Sequence, residues 1–148
     1  MSSEYLPIRV SVLRADNALT FDLFLGMTDR FILYTKKGDH IESTRIKKLV
    51  TQGVDRLYIH ERDESNMQDF IDQTAKKALQ NLDYSDEQKI EIIEGTTQTA
   101  IENMQDHPEK ATSYKMTKDA AFNIHQLLVN NPDSLKKLFG KKVSGKEK

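Results

Sequence analysis

The sequence predicts an α+β protein: a small, mostly antiparallel sheet with one covering helix, followed by an α-helical extension or partial bundle. Three observations carry this reading. Apolar residues alternate with a period of two through much of the first third of the chain. Within that third, Ile41, Ile46, Leu49 and Val50 recur at helical spacing instead and stop at Gly53. Beyond residue 63 the apolar positions follow i, i+3, i+4 spacing.

Leu6, Ile8, Val10 and Val12 alternate with Pro7, Arg9, Ser11 and Leu13, which predicts a strand over 6–13 with one buried face. Ala15-Asp16-Asn17-Ala18 is turn-like. Thr20 to Met27 and Arg30 to Tyr34 predict a hairpin around Thr28-Asp29. Lys36-Lys37-Gly38-Asp39 supplies the next turn. A helix over 42–52 follows, with Ile46 and Leu49 inward and Arg45, Lys47 and Lys48 on its solvent face. Val54, Leu57, Tyr58 and Ile59 then predict a closing strand over 55–59. Four strands with one covered face are enough for a stable sheet.

The second half reads as helices. Ser65 is the expected N-cap of the first, whose inward positions are Met67, Phe70, Ile71, Thr74, Ala75, Ala78, Leu79 and Leu82. Ser85 with Gln88 forms a capping-box pattern ahead of Ile90, Ile93, Ala100, Ile101 and Met104. Gly95 inside this helix costs up to about 1 kcal/mol relative to Ala, so a bend or a close helix contact is expected there. His107-Pro108 ends it. Met116, Ala120, Ile124, Leu127 and Leu128 mark a third helix. Asn131-Pro132 predicts the start of a short final turn that ends at Gly140.

These patterns divide the 148 residues into a small α+β sensory or regulatory module over 1–62, a helical connector or dimerisation region over 63–140, and a flexible basic tail over 141–148. The Lys-rich ending reads as a linker or a cut end. Charge follows the same division. Residues 1–62 hold ten Lys/Arg against eight Asp/Glu, residues 63–140 hold eight against fourteen, and the tail holds four Lys against one Glu. The acidic middle argues against a nucleic-acid polymer as partner, which needs a concentrated basic face. No apolar run approaches the roughly 20 residues of a membrane span, so no membrane insertion is expected and the cytoplasm is the expected location. With no cysteine there is neither a disulfide framework nor a thiolate site.

No constellation of catalytic groups emerges. His40, His60, His107 and His125 are scattered, and none forms the paired spacing of a helical metal site. Asp39-His40 reads as a solvated turn pair and His125 as a helix-edge residue. There is no phosphate-binding glycine loop and no nucleophile motif. Asp86-Glu87 fall at a helix N-terminus, where the dipole accounts for them. The expectation is a non-enzyme without cofactor or metal. One cluster stands out: Arg9 and Arg14, with Lys36 and Lys37, are candidate ligand-binding residues that would converge at one sheet edge and offer guanidinium forks to a phosphate or carboxylate. The arginine pair is similar in part to that of PilZ-type cyclic-di-GMP receptors. It departs from them in having four intervening residues instead of three, and no Asp-x-Ser-x-x-Gly follows. Solvated strand and turn charges are the competing reading.

The order Tyr5-Leu6-Pro7-Ile8, Phe21-Asp22-Leu23-Phe24-Leu25, Phe31-Ile32-Leu33-Tyr34 with Lys37-Gly38-Asp39, and Gly53-Val54-Asp55-Arg56-Leu57-Tyr58-Ile59 resembles a known module. It is similar to the N-terminal regulatory domain that precedes the catalytic domain in some bacterial HD-GYP proteins, the cyclic-di-GMP phosphodiesterase family. The likeness covers roughly residues 5–75, and the helices beyond resemble the connector to the catalytic core. The family's His-Asp pair and Gly-Tyr-Pro signature are absent from the sequence, so no catalytic or metal-binding residue carries over. The resemblance implies a regulatory or dimerisation role beside an attached or trans-acting output domain, with a homodimer formed partly through helices 65–82 and 85–105. A stand-alone receptor for a cyclic dinucleotide is the alternative, and an enzyme with an unrecognised site is a third.

Overall fold

Strands β1 (Tyr5–Arg9), β2 (Leu23–Gly26), β3 (Phe31–Thr35) and β4 (Arg56–His60) form one antiparallel sheet in the order β1-β4-β2-β3. Helix α1 (Ser43–Thr51) connects β3 to β4, and α2 (Glu64–Gln80), α3 (Asp86–Asp106) and α4 (Ala111–Asn130) follow. The architecture is the expected α+β one. It is taken from a computed structural model that describes residues 4–14, 17–81 and 83–130. The expected turn at Ala15-Asp16, the inward Leu82, the final turn to Gly140 and the basic tail lie outside the described residues.

The sheet's inner face follows from its register. Leu6 opposes Ile59 and Ile8 opposes Leu57, and all four are buried. They join Leu49 of α1 and Met67, Phe70 and Ile71 of α2 in one core that also takes in Ala100, Met116 and Ala120. The strand half and the helical half therefore share a single interior. Phe21 meets Phe70 edge-on at 5.1 Å across that junction. A second cluster, Ala75, Ile90, Ile93 and Leu127, binds α2, α3 and α4 together. On the outer face of the sheet the aromatic rings hold one another: Tyr5 stacks on Phe31 at 4.0 Å, and Phe31 meets Tyr58 edge-on.

Several local expectations are corrected. The first strand ends at Arg9, because Val10–Val12 form a 3-10 turn that still buries both valines. Helix α2 starts at Glu64 after Asp63, so Ser65 lies inside it and does not cap it. Arg45 is not on a free solvent face: its guanidinium covers the Tyr34 ring at 4.5 Å and reaches the Tyr34 carbonyl. The capping box does form, with Gln88 N–H on Ser85 Oγ at 3.1 Å and Ser85 N–H on Gln88 Oε1 at 2.8 Å. Helix α1 ends in a Schellman motif, since Gly53 N–H donates to Val50 and Val54 N–H to Leu49. That motif needs a left-handed residue, and Gly53 supplies it at φ +81.

Gly95 makes a close contact with the 3-10 turn. A Cβ there would collide with Ser11 Oγ and sit 3.2 Å from both Ser11 Cβ and Val12 Cγ2. Its bare backbone lets the 3-10 turn lie directly on α3. Gly95→Ala should therefore destabilise the fold by about 1–2 kcal/mol despite alanine's better helix propensity. Ser11→Gly in the same chain should recover most of that loss, as read by urea unfolding.

Between α2 and α4, Lys115 lies 3.5 Å from Asp72 and 2.9 Å from Asp119. Burial, and then the Asp119 charge, push the Asp72 carboxyl above its ordinary value of 3.8 against the opposing pull of Lys115. A carboxyl with a raised folded pKa holds its proton more tightly in the fold than in the unfolded chain. Its contribution favours folding below the ordinary value and is lost as pH rises through the raised one. Asp72→Asn should thus raise the melting temperature at neutral pH, and the gain should vanish below about pH 3.8. A gain that persists unchanged in acid contradicts this account.

Candidate functional site

Arg14 leaves the 3-10 turn beside the buried Leu13, at the mouth of a cleft of about 700 Å³ between α1 and the start of α3. One wall is the α1 stripe Ser43, Ile46, Lys47, Val50 and Thr51, positions that share one side of a helix. The other wall is Gln88, Glu91 and Ile92 of α3, with Tyr84 ahead of it. A second hollow of about 480 Å³ shares Arg14, Ile46, Val50 and Glu91 and extends to Arg9 and Asp55. Arg14 therefore stands where the two meet. Its Nε and Nη2 are buried without a hydrogen-bond partner. Its ion pair with Glu91 is long, 3.9 Å, and Glu91's side chain is 61% exposed.

Arg9 has a different fate. Its Nη1 lies 3.0 Å from Asp55 and its Nη2 2.5 Å from Glu102, a buried residue of α3. Arg56 approaches the same Glu102 oxygen at 3.8 Å. Burial pulls the Arg9 pKa down, but the bond and charge of Glu102, and then Asp55, outweigh it and hold the pKa above its usual value. Arg9 is thus a permanent cation committed to joining the sheet to α3. Beside it, Arg9 N–H donates to Thr99 Oγ1 at 3.0 Å, and Asn103 Nδ2 donates to the Pro7 carbonyl at 2.9 Å.

The four candidate residues do not converge at one edge. Arg9 and Arg14 flank one hollow, but Lys36 and Lys37 follow β3 at the far edge of the sheet. Thr35 pairs with Leu23, toward the end that holds Tyr5 and His60, whereas Arg9 and Arg56 occupy the opposite end. Lys37 N–H donates to Asp22 Oδ1 at 2.8 Å and so ties down its own turn. The reason is the strand order: β1 and β3 are outer strands, separated by β2 and by β4, which comes from later in the chain. Sequence reasoning also missed Lys47 and Glu91 as cleft residues, and Thr99, Glu102 and Asn103 as buried partners. The step of four through Gly95, Thr99 and Asn103 was the available signal. Among the described residues no group of three or more His, Asp or Glu is placed to hold a metal ion, and no described helix is long and apolar enough to cross a membrane.

In a comparison with solved structures, the chain is similar to Bd1817, an HDG"Y"P protein from Bdellovibrio bacteriovorus. The TM-score is 0.62 and the identity 28%, over 92% of this chain and 45% of that one. This chain thus spans a little under half the length of that protein. No family model and no curated relative matches the chain. The fold is related to that of part of an HD-GYP protein.

The Arg9 network has a measurable consequence. Glu102→Gln keeps the shape but leaves Arg9 and Arg56 facing a neutral group. It should cost about 2 kcal/mol, less than a fully buried ion pair because Arg9 retains Asp55 and some solvent. Chemical denaturation of the two proteins checks this.

Proposed function

We propose that this chain is a non-catalytic regulatory or sensory segment of a bacterial cyclic-di-GMP signalling protein of the HD-GYP kind, acting in the cytoplasm on an output domain that is attached or supplied in trans. The observation that carries the reading is the asymmetric match: nearly all of this chain falls on less than half of an HDG"Y"P protein. The sequence holds neither a His-Asp pair nor a Gly-Tyr-Pro run, so hydrolysis belongs to the output domain in this reading. The physical means is α3. It is tied to β1 by Thr99, Asn103 and Glu102 and to α2 and α4 by apolar packing, so a displacement at the Arg14 cleft reaches the helices directly.

The homodimer is part of the same reading. Support for its location comes from Ile101 of α3 and Tyr114, Phe122 and Val129 of α4, all exposed large apolar groups. The outer positions of α2, such as Gln73, Lys76 and Lys77, are polar. The contact then involves α4 with α3 more than the α2–α3 pair.

To test regulation, the chain is joined ahead of the catalytic segment of an active HD-GYP phosphodiesterase, and cyclic-di-GMP turnover is compared with and without it. The reading predicts no turnover by the chain alone and a changed rate in the joined protein. Turnover by the chain alone, or an identical rate in both forms, overturns it. Light scattering should also find a dimer that Phe122→Glu dissociates. A monomeric parent at high micromolar concentration removes the dimer from the account.

A further inference from the structure

We infer that the cleft between α1 and α3 takes a small organic anion, with one carboxylate or phosphate head on a flat apolar body. The first observation is the state of Arg14. The two nitrogens left buried and unbonded, Nε and Nη2, form one edge of the guanidinium plane. The Arg14 side chain lines the cleft and is 25% exposed, and turning this shielded edge into the cleft lets it bind two oxygens of a planar or tetrahedral oxyanion at once. Glu91 does not satisfy it, because at 3.9 Å the contact is beyond hydrogen-bond distance. A guanidinium edge taken out of water without an acceptor carries a desolvation cost that an incoming anion removes.

The surroundings set the rest of the ligand. Lys47 shares the wall of the cleft, so Arg14, Lys47 and Glu91 together leave one net positive charge. That charge balance favours a single negative head. Around it lie Leu13, Ile46, Val50 and Ile92. Val50, 62% exposed, offers an apolar surface beside the charges. The space of about 700 Å³ suits a molecule of one or two rings. Such a ligand would bridge α1 to α3. The inference rests on the sensory reading and adds what the sensor takes.

The test is a proton–nitrogen NMR titration of the full chain with phenyl phosphate, phenylacetate and inorganic phosphate as probes. The expected result is saturable shifts at the Arg14 Nε–H and at the amides of Ile46, Val50 and Gln88 with at least one aromatic anion. A preference between the two aromatic probes identifies the head group. Inorganic phosphate, without an apolar body, should bind roughly tenfold more weakly. Arg14→Gln should weaken the preferred probe by roughly tenfold or more, and Arg14→Lys, which keeps the charge and loses the fork, should recover little of it. Glu91→Gln, which removes the competing carboxylate, should tighten binding. Spectra unchanged away from the cleft show that the variants remain folded. Absence of saturable shifts with both aromatic probes, shifts that map elsewhere, or full binding by Arg14→Gln overturns the inference. Binding without any change in the joined phosphodiesterase leaves the cleft assignment standing and removes the sensory reading, and regulation without binding does the reverse.

Discussion

Strand β1 is an outer strand, and the groups on its free side, the Pro7 carbonyl and the Arg9 N–H, have no neighbouring strand to bond. Helix α3 takes that place with side chains. The Thr99 hydroxyl accepts from Arg9 while donating to the Gly95 carbonyl, and the Asn103 amide donates both to Pro7 and to the Thr99 carbonyl. Ser113 of α4 in turn donates to the Asn103 carbonyl at 3.1 Å. An edge that would otherwise invite pairing with another chain is closed by a helix from the far half of the sequence. Proline at position 7 fits this arrangement: the position points away from β4, so its missing N–H leaves no ladder bond unmade.

The edge contact explains why α3 is buried on two sides. One side carries Ile90, Ile93 and Ala100 toward α2 and α4, as an amphipathic helix should. The other carries Gly95, Thr99, Glu102 and Asn103 toward β1 and the 3-10 turn. Backbone or an ion pair satisfies most of the buried polar atoms there, while Glu102 Oε1 and Arg9 Nε are left without a hydrogen-bond partner. The Gly95 approach brings the turn onto α3, and Arg14 follows the turn into the groove between α3 and α1. The cleft is thus a by-product of the same contact that seals the edge. Its two walls belong to the two halves of the chain.

Much of this was legible in the sequence. Period-two alternation located the strands, and the Ser85–Gln88 pair located the start of α3, because both signals are local. Two kinds of feature were not legible. Alternation runs on through Val10 and Val12 whether the backbone is a strand or a 3-10 turn that buries the same side chains, so the first strand was read too long. Thr99, Glu102 and Asn103 are polar residues at helical spacing, and such a stripe reads as a solvent face until a strand edge is placed against it. The candidate site was half legible for a related reason. Arg9 and Arg14 are near in sequence and remain near, but the insertion of β4 between β1 and β2 sends Lys36 and Lys37 to the other side of the sheet.

Native-state hydrogen exchange at the Arg9 amide tests the central claim most directly. If α3 and β1 open as one unit, this amide exchanges with the same opening free energy as the slowest amides of α3, and Thr99→Val lowers its protection ahead of the rest of β1. Exchange of the Arg9 amide through a low-energy local opening, while α3 stays fully protected, would contradict the account.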